Sequence, residues 1–197
     1  MWQPNRLEQE RLDKLSELEA QGIVAYPARV QRTHTAAQAI QAYESSDNGD
    51  EAAIPVTVCG RIRRVNIKGK VSFLHIEDES GRVQLFLRVN DMDEAVYNLV
   101  KNKLIEMDDF VQASGTMMRT TAGEISVRVS DLKLIAKSLS PLPVIKQEQL
   151  EDGTIIEHGE FSDVEQRYRQ RYADLAVHRQ VREVFAKRAK VLRALRE

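Results

Sequence analysis

The stretch 60–78, GRIRRVNIKGKVSFLHIED, sets five basic residues and no acidic one between Gly60 and Lys70, then enters a β-branched run that carries a phenylalanine. From Val71 onward apolar residues alternate with polar ones, so Leu74 and Ile76 share a face with Ser72, and Phe73 and His75 take the other. The run 82–89, RVQLFLRV, repeats the pattern with Val83, Leu85 and Leu87 inward and Gln84, Phe86 and Arg88 outward. DESGR at 78–82 supplies a tight turn between them. Two strands joined by a short turn are expected, with Phe73, His75, Gln84, Phe86 and Arg88 along one outer face.

The period of two begins near Ile54. Strands are predicted at 55–64, 71–78, 82–89, 110–118 and 125–135. Between the third and fourth, Ala95, Val96, Leu99, Val100 and Leu104 recur at helical spacing. The order β-β-β-α-β-β over residues 53–138 predicts an all-β OB-fold barrel, five strands with one helix between strands three and four. Such partly open Greek-key barrels bind oligonucleotides on the strand 2–3 face and on the 1–2 and 4–5 loops.

The flanks read as helices. Leu7, Leu12, Leu15 and Leu18 form a narrow stripe that stops at Gly22, an N-terminal amphipathic helix; a short helix is expected near 36–45, and the polar cluster SSDNGDE at 45–51 marks a boundary. After Lys137 the chain reads as linker, with a hairpin turn expected at Asp152-Gly153. C-terminal helices follow, the first opened by a capping box at Ser162–Glu165 and the last carrying Val181, Val184, Phe185, Val191, Leu192 and Leu195 on one face. That stripe runs to Glu197 with no stop signal, which suggests the front piece of a longer protein. The expected domains are a helical extension at 1–52, the barrel at 53–138, and a linker with the start of another domain at 139–197.

A net charge of −1 argues against wholesale coating of nucleic acid, so a polyanion site must be a local patch, and 61–70 is one. Cys59 is the single cysteine and the four histidines show no ligand spacing, so neither a disulfide framework nor a metal site is expected. No apolar run reaches membrane-span length and the start lacks a secretory h-region, which makes the cytoplasm the default compartment.

An aromatic ring beside an amide and basic residues suits single-stranded nucleic acid: the ring stacks a base, the amide reads a base edge and the cations hold phosphates. Blander readings stand beside this one. Phe73 could be satellite core under the N-terminal helix, Gln84 and His75 ordinary surface polars, and 61–70 a solvated hairpin. Cys59 is expected to be a buried strand residue, Trp2 a frayed terminus, and Tyr168 with Tyr172 a helix face packed on a neighbour.

The chain also resembles the N-terminal part of class II lysyl-tRNA synthetases. The resemblance rests on GIVAYPARVQRTHTA at 22–36, GRIRRVNIKGKVSFLHIEDESGRVQLFL at 60–87, and KSLSPLP at 137–143 followed by EQRYRQRYADL at 165–175. It implies that Phe73 stacks on an anticodon base, Gln84 hydrogen-bonds a uracil-rich anticodon and Glu124 contacts the third base, and Arg61 keeps its match; His75 on the outer face and Lys68 and Lys70 in the basic patch are RNA-binding candidates from the pattern itself. Asn66 departs from the arginine often found at its position. The final helix resembles the motif 1 helix of a dimer interface, so a homodimer is expected of the full-length protein. The parent enzyme would use ATP and magnesium to activate lysine and transfer it to its tRNA. Motifs 2 and 3 would lie beyond Glu197, so no catalytic residue is assigned and this chain alone is expected to be inactive. The alternatives are a free-standing tRNA or single-strand RNA binding module and a protein-interaction OB domain.

Overall fold

A computed structural model describes residues 3–46, 53–143, 146–149, 155–158, 161 and 163–197. They fall into two compact units, Met1–Ser140 and Pro141–Glu197.

In the first unit, strands β1 (Pro55–Lys68), β2 (Val71–Glu77), β3 (Arg82–Arg88), β4 (Phe110–Arg119) and β5 (Ile125–Ala136) form a closed barrel in the order β1-β2-β3-β5-β4. Every pairing is antiparallel except β3–β5, which is parallel over Gln84↔Ser126, Leu85↔Val127 and Phe86↔Arg128. Leu74, Ile76, Val83, Leu85 and Leu87 fill the interior, as alternation predicts, and Val111, Val127 and Val129 join them. Helix α3 (Glu94–Lys101) lies between β3 and β4 with Asp93 as its N-cap.

The first strand runs four residues past its predicted end, paired with β2 as far as Lys68↔Val71, and its register shifts between Ile62 and Arg64. That bulge reverses the alternation. Without it, Arg64, Asn66 and Lys68 would point the way Ile62 points, into the barrel; with it they face out and Val65 packs against the core. The strand then turns through Gly69-Lys70, with Gly69 at φ 65°, the left-handed conformation that a type II′ hairpin needs at its first central residue. Gly115 sits at a second shift, where a Cβ would run into the Arg128 carbonyl. Cys59 is half-buried on β1 rather than in the core, and burial pushes its thiol pKa up.

Two N-terminal helices, α1 (Arg6–Ala20) and α2 (Ala36–Glu44), belong to the same unit. Only the C-terminal half of the leucine stripe is used: Leu18 is buried and Leu15 packs on the core, while Leu7 is 56% exposed. Polar contacts hold the rest of α1. Arg11 Nη1 donates to the Ser138 carbonyl at 3.0 Å and Lys14 Nζ to Glu106 Oε2 at 2.8 Å. Beneath them Lys137 Nζ, fully buried, donates to the Leu104 carbonyl (2.9 Å), Glu106 Oε1 (3.0 Å) and Asp109 Oδ2 (2.9 Å). Burial pushes the Asp109 carboxyl up despite Lys137; at Glu106 burial is outweighed by the bonds from Lys14 and Lys137, and the pKa falls.

Helix α2 is docked by the β2–β3 turn. Thr35 caps it, Ala36 N donates to Asp78 Oδ2 (2.8 Å), and Ala37 N donates to Ser80 Oγ (3.0 Å), so the turn satisfies first-turn amides.

In the second unit, β6 (Lys146–Gln149) and β7 (Ile155–His158) pair antiparallel, and α4 (Val164–Arg169), α5 (Arg171–Val177) and α6 (Arg179–Ala194) follow. The Asp152-Gly153 turn, Ser162, Trp2 and the cluster beyond Ser46 lie outside the described residues. The N-cap of α4 is Asp163, whose carboxylate accepts from Gln166 N at 3.1 Å. The RYRQRYAD segment coils around one carboxylate: Asp174, fully buried, accepts from Arg167 Nε (2.8 Å), Arg171 Nη1 and His178 Nδ1 (2.7 Å). Burial would raise that carboxyl, but the Arg167 and His178 contacts hold it below its ordinary value. Tyr168 and Tyr172 are each 69% exposed rather than packed on a neighbouring element, because the chain around them turns inward through arginine and aspartate instead.

The Asp78 clamp is testable through pH. Burial alone would raise its pKa, but bonds from Ser80 Oγ, Ala36 N, Ser80 N and Gly81 N lower it below the ordinary carboxylate value. The stability it contributes is therefore complete above that ordinary value and disappears as pH falls through the folded one. Asp78→Asn should cost about 1–2 kcal/mol of unfolding free energy near pH 7 and progressively less as pH falls below the ordinary carboxylate range. A cost independent of pH in urea unfolding would show that the charge is not what holds the helix.

Candidate nucleic-acid interface

Directly paired residues on neighbouring strands share a face, so the register draws three lines across the outside of the barrel. The first joins Arg64, His75, Gln84 and Ser126; the second Asn66, Phe73, Phe86 and Arg128; the third Lys68, Val71 and Arg88.

The first line is a hydrogen-bond chain. Ser126 Oγ donates to Gln84 Oε1 (2.8 Å), Gln84 Nε2 donates to Glu124 Oε2 (2.6 Å), and His75 Nε2 lies 3.0 Å from Glu124 Oε1. A carboxylate only accepts, so His75 Nε2 carries the hydrogen in this contact. Gln84 Nε2, 3.4 Å from the same ring nitrogen, then meets a donor, and the second amide N–H is not spent on His75. His75 Nδ1 is buried and has no hydrogen-bond partner among the described residues. Glu124 reaches this line from the β4–β5 turn. Gly123 takes a φ of 87°, Gly123 N donates to the Thr120 carbonyl (2.8 Å), Thr120 N donates to the Glu124 carbonyl (3.0 Å), and Arg119 Nη1 caps the Gly123 carbonyl (2.8 Å). The turn is braced by its own backbone and by Arg119, and the contacts with His75 and Gln84 place the Glu124 carboxylate.

The second line is aromatic. Phe73 and Phe86 meet edge to face, centroids 5.5 Å apart at 60°. Phe73 is half-buried and outside the core cluster. The anchors of α1 go to Glu106, Met107 and Ser138, so the satellite-core reading of Phe73 under that helix does not hold. At the end of the line Arg128 holds Asp91 through two bonds of 2.9 and 2.8 Å, which lower the Asp91 pKa.

The basic hairpin divides in two. Arg61 lies over the Phe110 ring, 4.4 Å from its centroid, and Arg63, the bulge residue, reaches Asp108 (3.3 Å) and Glu77 (3.8 Å). Arg64, Lys68 and Lys70 are exposed. His75, Gln84 and Glu124 thus come together, Phe73 lies one line over, Lys68 and Lys70 stand at the hairpin end, and Arg61 is turned to the β1–β4 side. Gln84 departs from the sequence reading in one respect: it lies on the outer face but is only 7% exposed, because its neighbours fold over it. Sequence reasoning missed Ser126. Alternation along ISVRVS puts it on the face of Arg128, yet only the β3–β5 pairing brings it to Gln84.

Residues 56–135 match the family model described as an OB-fold nucleic acid binding domain. A lysine--tRNA ligase of Roseiflexus castenholzii (strain DSM 13941 / HLO8) is 44% identical over 196 residues, which cover 98% of this chain and 36% of that protein. One from Roseiflexus sp. (strain RS-1) is 43% identical over the same shares, and one from Christiangramia forsetii (strain DSM 17595 / CGMCC 1.15422 / KT0803) is 38% identical over 201 residues, 100% of this chain and 33% of that protein. The chain spans about a third of the length of the curated relatives it matches. Over residues 56–135 the chain is similar to OB-fold nucleic acid binding domains, and over nearly its whole length it is homologous to the N-terminal part of lysine--tRNA ligases.

The placement of Phe73 has a stability consequence. Phe73→Ala should lower the unfolding free energy by about 1–2 kcal/mol, an edge-to-face pair plus partial burial. A core phenylalanine would cost about 3–5 kcal/mol, and a loss of that size in chemical unfolding would return the ring to the core.

Proposed function

We propose, from the match of residues 56–135 to the OB-fold nucleic acid binding family model, that the outer face of β1–β3 and the 120–124 turn bind the anticodon stem-loop of a lysine tRNA. The observation that carries the reading is the adjacency of Phe73 to the His75–Gln84–Glu124 network. A stacking surface and fixed polar groups lie one residue line apart, bordered by exposed cations. In this reading Phe73 stacks on an anticodon base, Gln84 reads a base edge and Glu124 meets the third base. His75 steadies Glu124, Lys68 and Lys70 hold phosphates, and Arg61, stacked on Phe110, contributes charge at the margin.

The domain at 53–138 would be the recognition module of a lysine–tRNA ligase, with 1–52 as its helical extension and 139–197 as the passage into the catalytic domain. The whole protein would act in the cytoplasm as a homodimer, and would join lysine to its tRNA with ATP and magnesium. No helix among the described residues is long and apolar enough to cross a membrane. Among the described residues no group of three or more His, Cys, Asp or Glu could hold a metal ion, and no residue of this chain is assigned to ATP or magnesium. Residues 1–197 are expected to support recognition without lysine-dependent ATP–pyrophosphate exchange.

Stem-loop titrations test the reading. Phe73→Ala should weaken binding by about 1–3 kcal/mol, the range for a base–aromatic stack. Gln84→Ala should instead erode the preference for a UUU anticodon over one with a substituted middle base, because phosphate contacts persist. With about three cations engaged, the log–log salt slope should be roughly −2, at about −0.7 per phosphate. A flat salt dependence together with unchanged binding by Phe73→Ala would remove RNA from this face.

A further inference from the structure

We infer that Ser126 is a positioning residue that sets the base preference of the site by fixing which way the Gln84 amide faces; the inference rests on the anticodon-reading role proposed for Gln84. An amide can present its N–H or its carbonyl in nearly the same place by turning over, and the two orientations read opposite base edges. Two groups hold the Gln84 amide in one orientation. Glu124 accepts from Nε2 at 2.6 Å, and a reversed amide would put its carbonyl against that carboxylate. Ser126 donates to Oε1 at 2.8 Å.

The two anchors differ in permanence. Glu124 stands on a turn with its side chain about half exposed (49%), and a bound base that takes its carboxylate takes it from Gln84. Ser126 has no exposed surface at all and is seated in the parallel β3–β5 pairing directly opposite Gln84, beyond the reach of any ligand. Among the described residues its hydroxyl has one alternative acceptor, the Glu124 carbonyl at 3.1 Å, which is the longer contact. When RNA occupies Glu124, the serine is the remaining fixed donor to Oε1 and keeps the free N–H turned toward the ligand.

The test uses the 197-residue chain with anticodon stem-loops bearing UUU or a substituted middle base. Ser126→Ala should reduce the ratio of the two dissociation constants about tenfold, the effect of one buried hydrogen bond, with a smaller loss in affinity for UUU itself. Ser126→Thr, which keeps the hydroxyl, should restore most of the ratio. The two Gln84 side-chain amide proton resonances, assigned in the RNA-bound wild type, should shift and broaden together in Ser126→Ala as the amide begins to turn over. A merely structural serine would lower the melting temperature without moving that ratio or those resonances. An unchanged ratio in a Ser126→Ala protein whose wild type discriminates overturns the positioning role alone. No discrimination by the wild type overturns the reading of Gln84, and with it this one.

Discussion

The parallel seam between β3 and β5 is the constraint on which the rest depends. It consists of Gln84↔Ser126, Leu85↔Val127 and Phe86↔Arg128 and nothing more, yet without it the five strands would be an open sheet with two unpaired edges. The middle pair faces inward, where Leu85 and Val127 are fully buried and supply the apolar area that makes closure favourable. The outer two pairs put Gln84 beside Ser126 and Phe86 beside Arg128. Barrel closure and assembly of the candidate site are therefore one event.

Polar burial elsewhere serves the same closure. The buried Lys137 ammonium ties the end of β5 to the Leu104 carbonyl and to Glu106 and Asp109 ahead of β4, and Glu106 in turn holds Lys14 of α1. Such a cluster costs desolvation, and its net contribution to stability is small beside the penalty for removing one partner. Its effect is one of placement: a chain with those charges has few other compact arrangements in which all of them are paired. The N-terminal helix is thereby kept on the Glu106–Ser138 side.

Much of the barrel was legible in the sequence, because alternation is a local signal and the strands carry it cleanly. Leu74, Ile76, Val83, Leu85 and Leu87 were assigned inward from the pattern alone and are buried. The bulge at Arg63 was not legible. It falls where β1 changes partner, from β4 along its first half to β2 along its second, and a period-two reading cannot see such a change. That is why the basic run looked uniform. In the folded chain Arg63 is tied to Asp108 and Glu77, while Arg64, Lys68 and Lys70 face water.

Gln84 shows where a local reading runs out altogether. Outward-facing glutamine in a strand ordinarily means an exposed side chain, and nothing between Arg82 and Arg88 says otherwise. Its burial comes from Glu124 and Ser126, some forty residues away and brought alongside by a crossover. A polar side chain can be buried on an outer face only if its hydrogen bonds are met, and here the partners themselves choose the orientation. The same contacts that make the amide stable without a ligand leave it one N–H short of saturation. A fully satisfied glutamine would be inert and a fully exposed one would bond water in either orientation; partial satisfaction by a buried hydroxyl and a solvent-facing carboxylate is what would let a base be told from its neighbours.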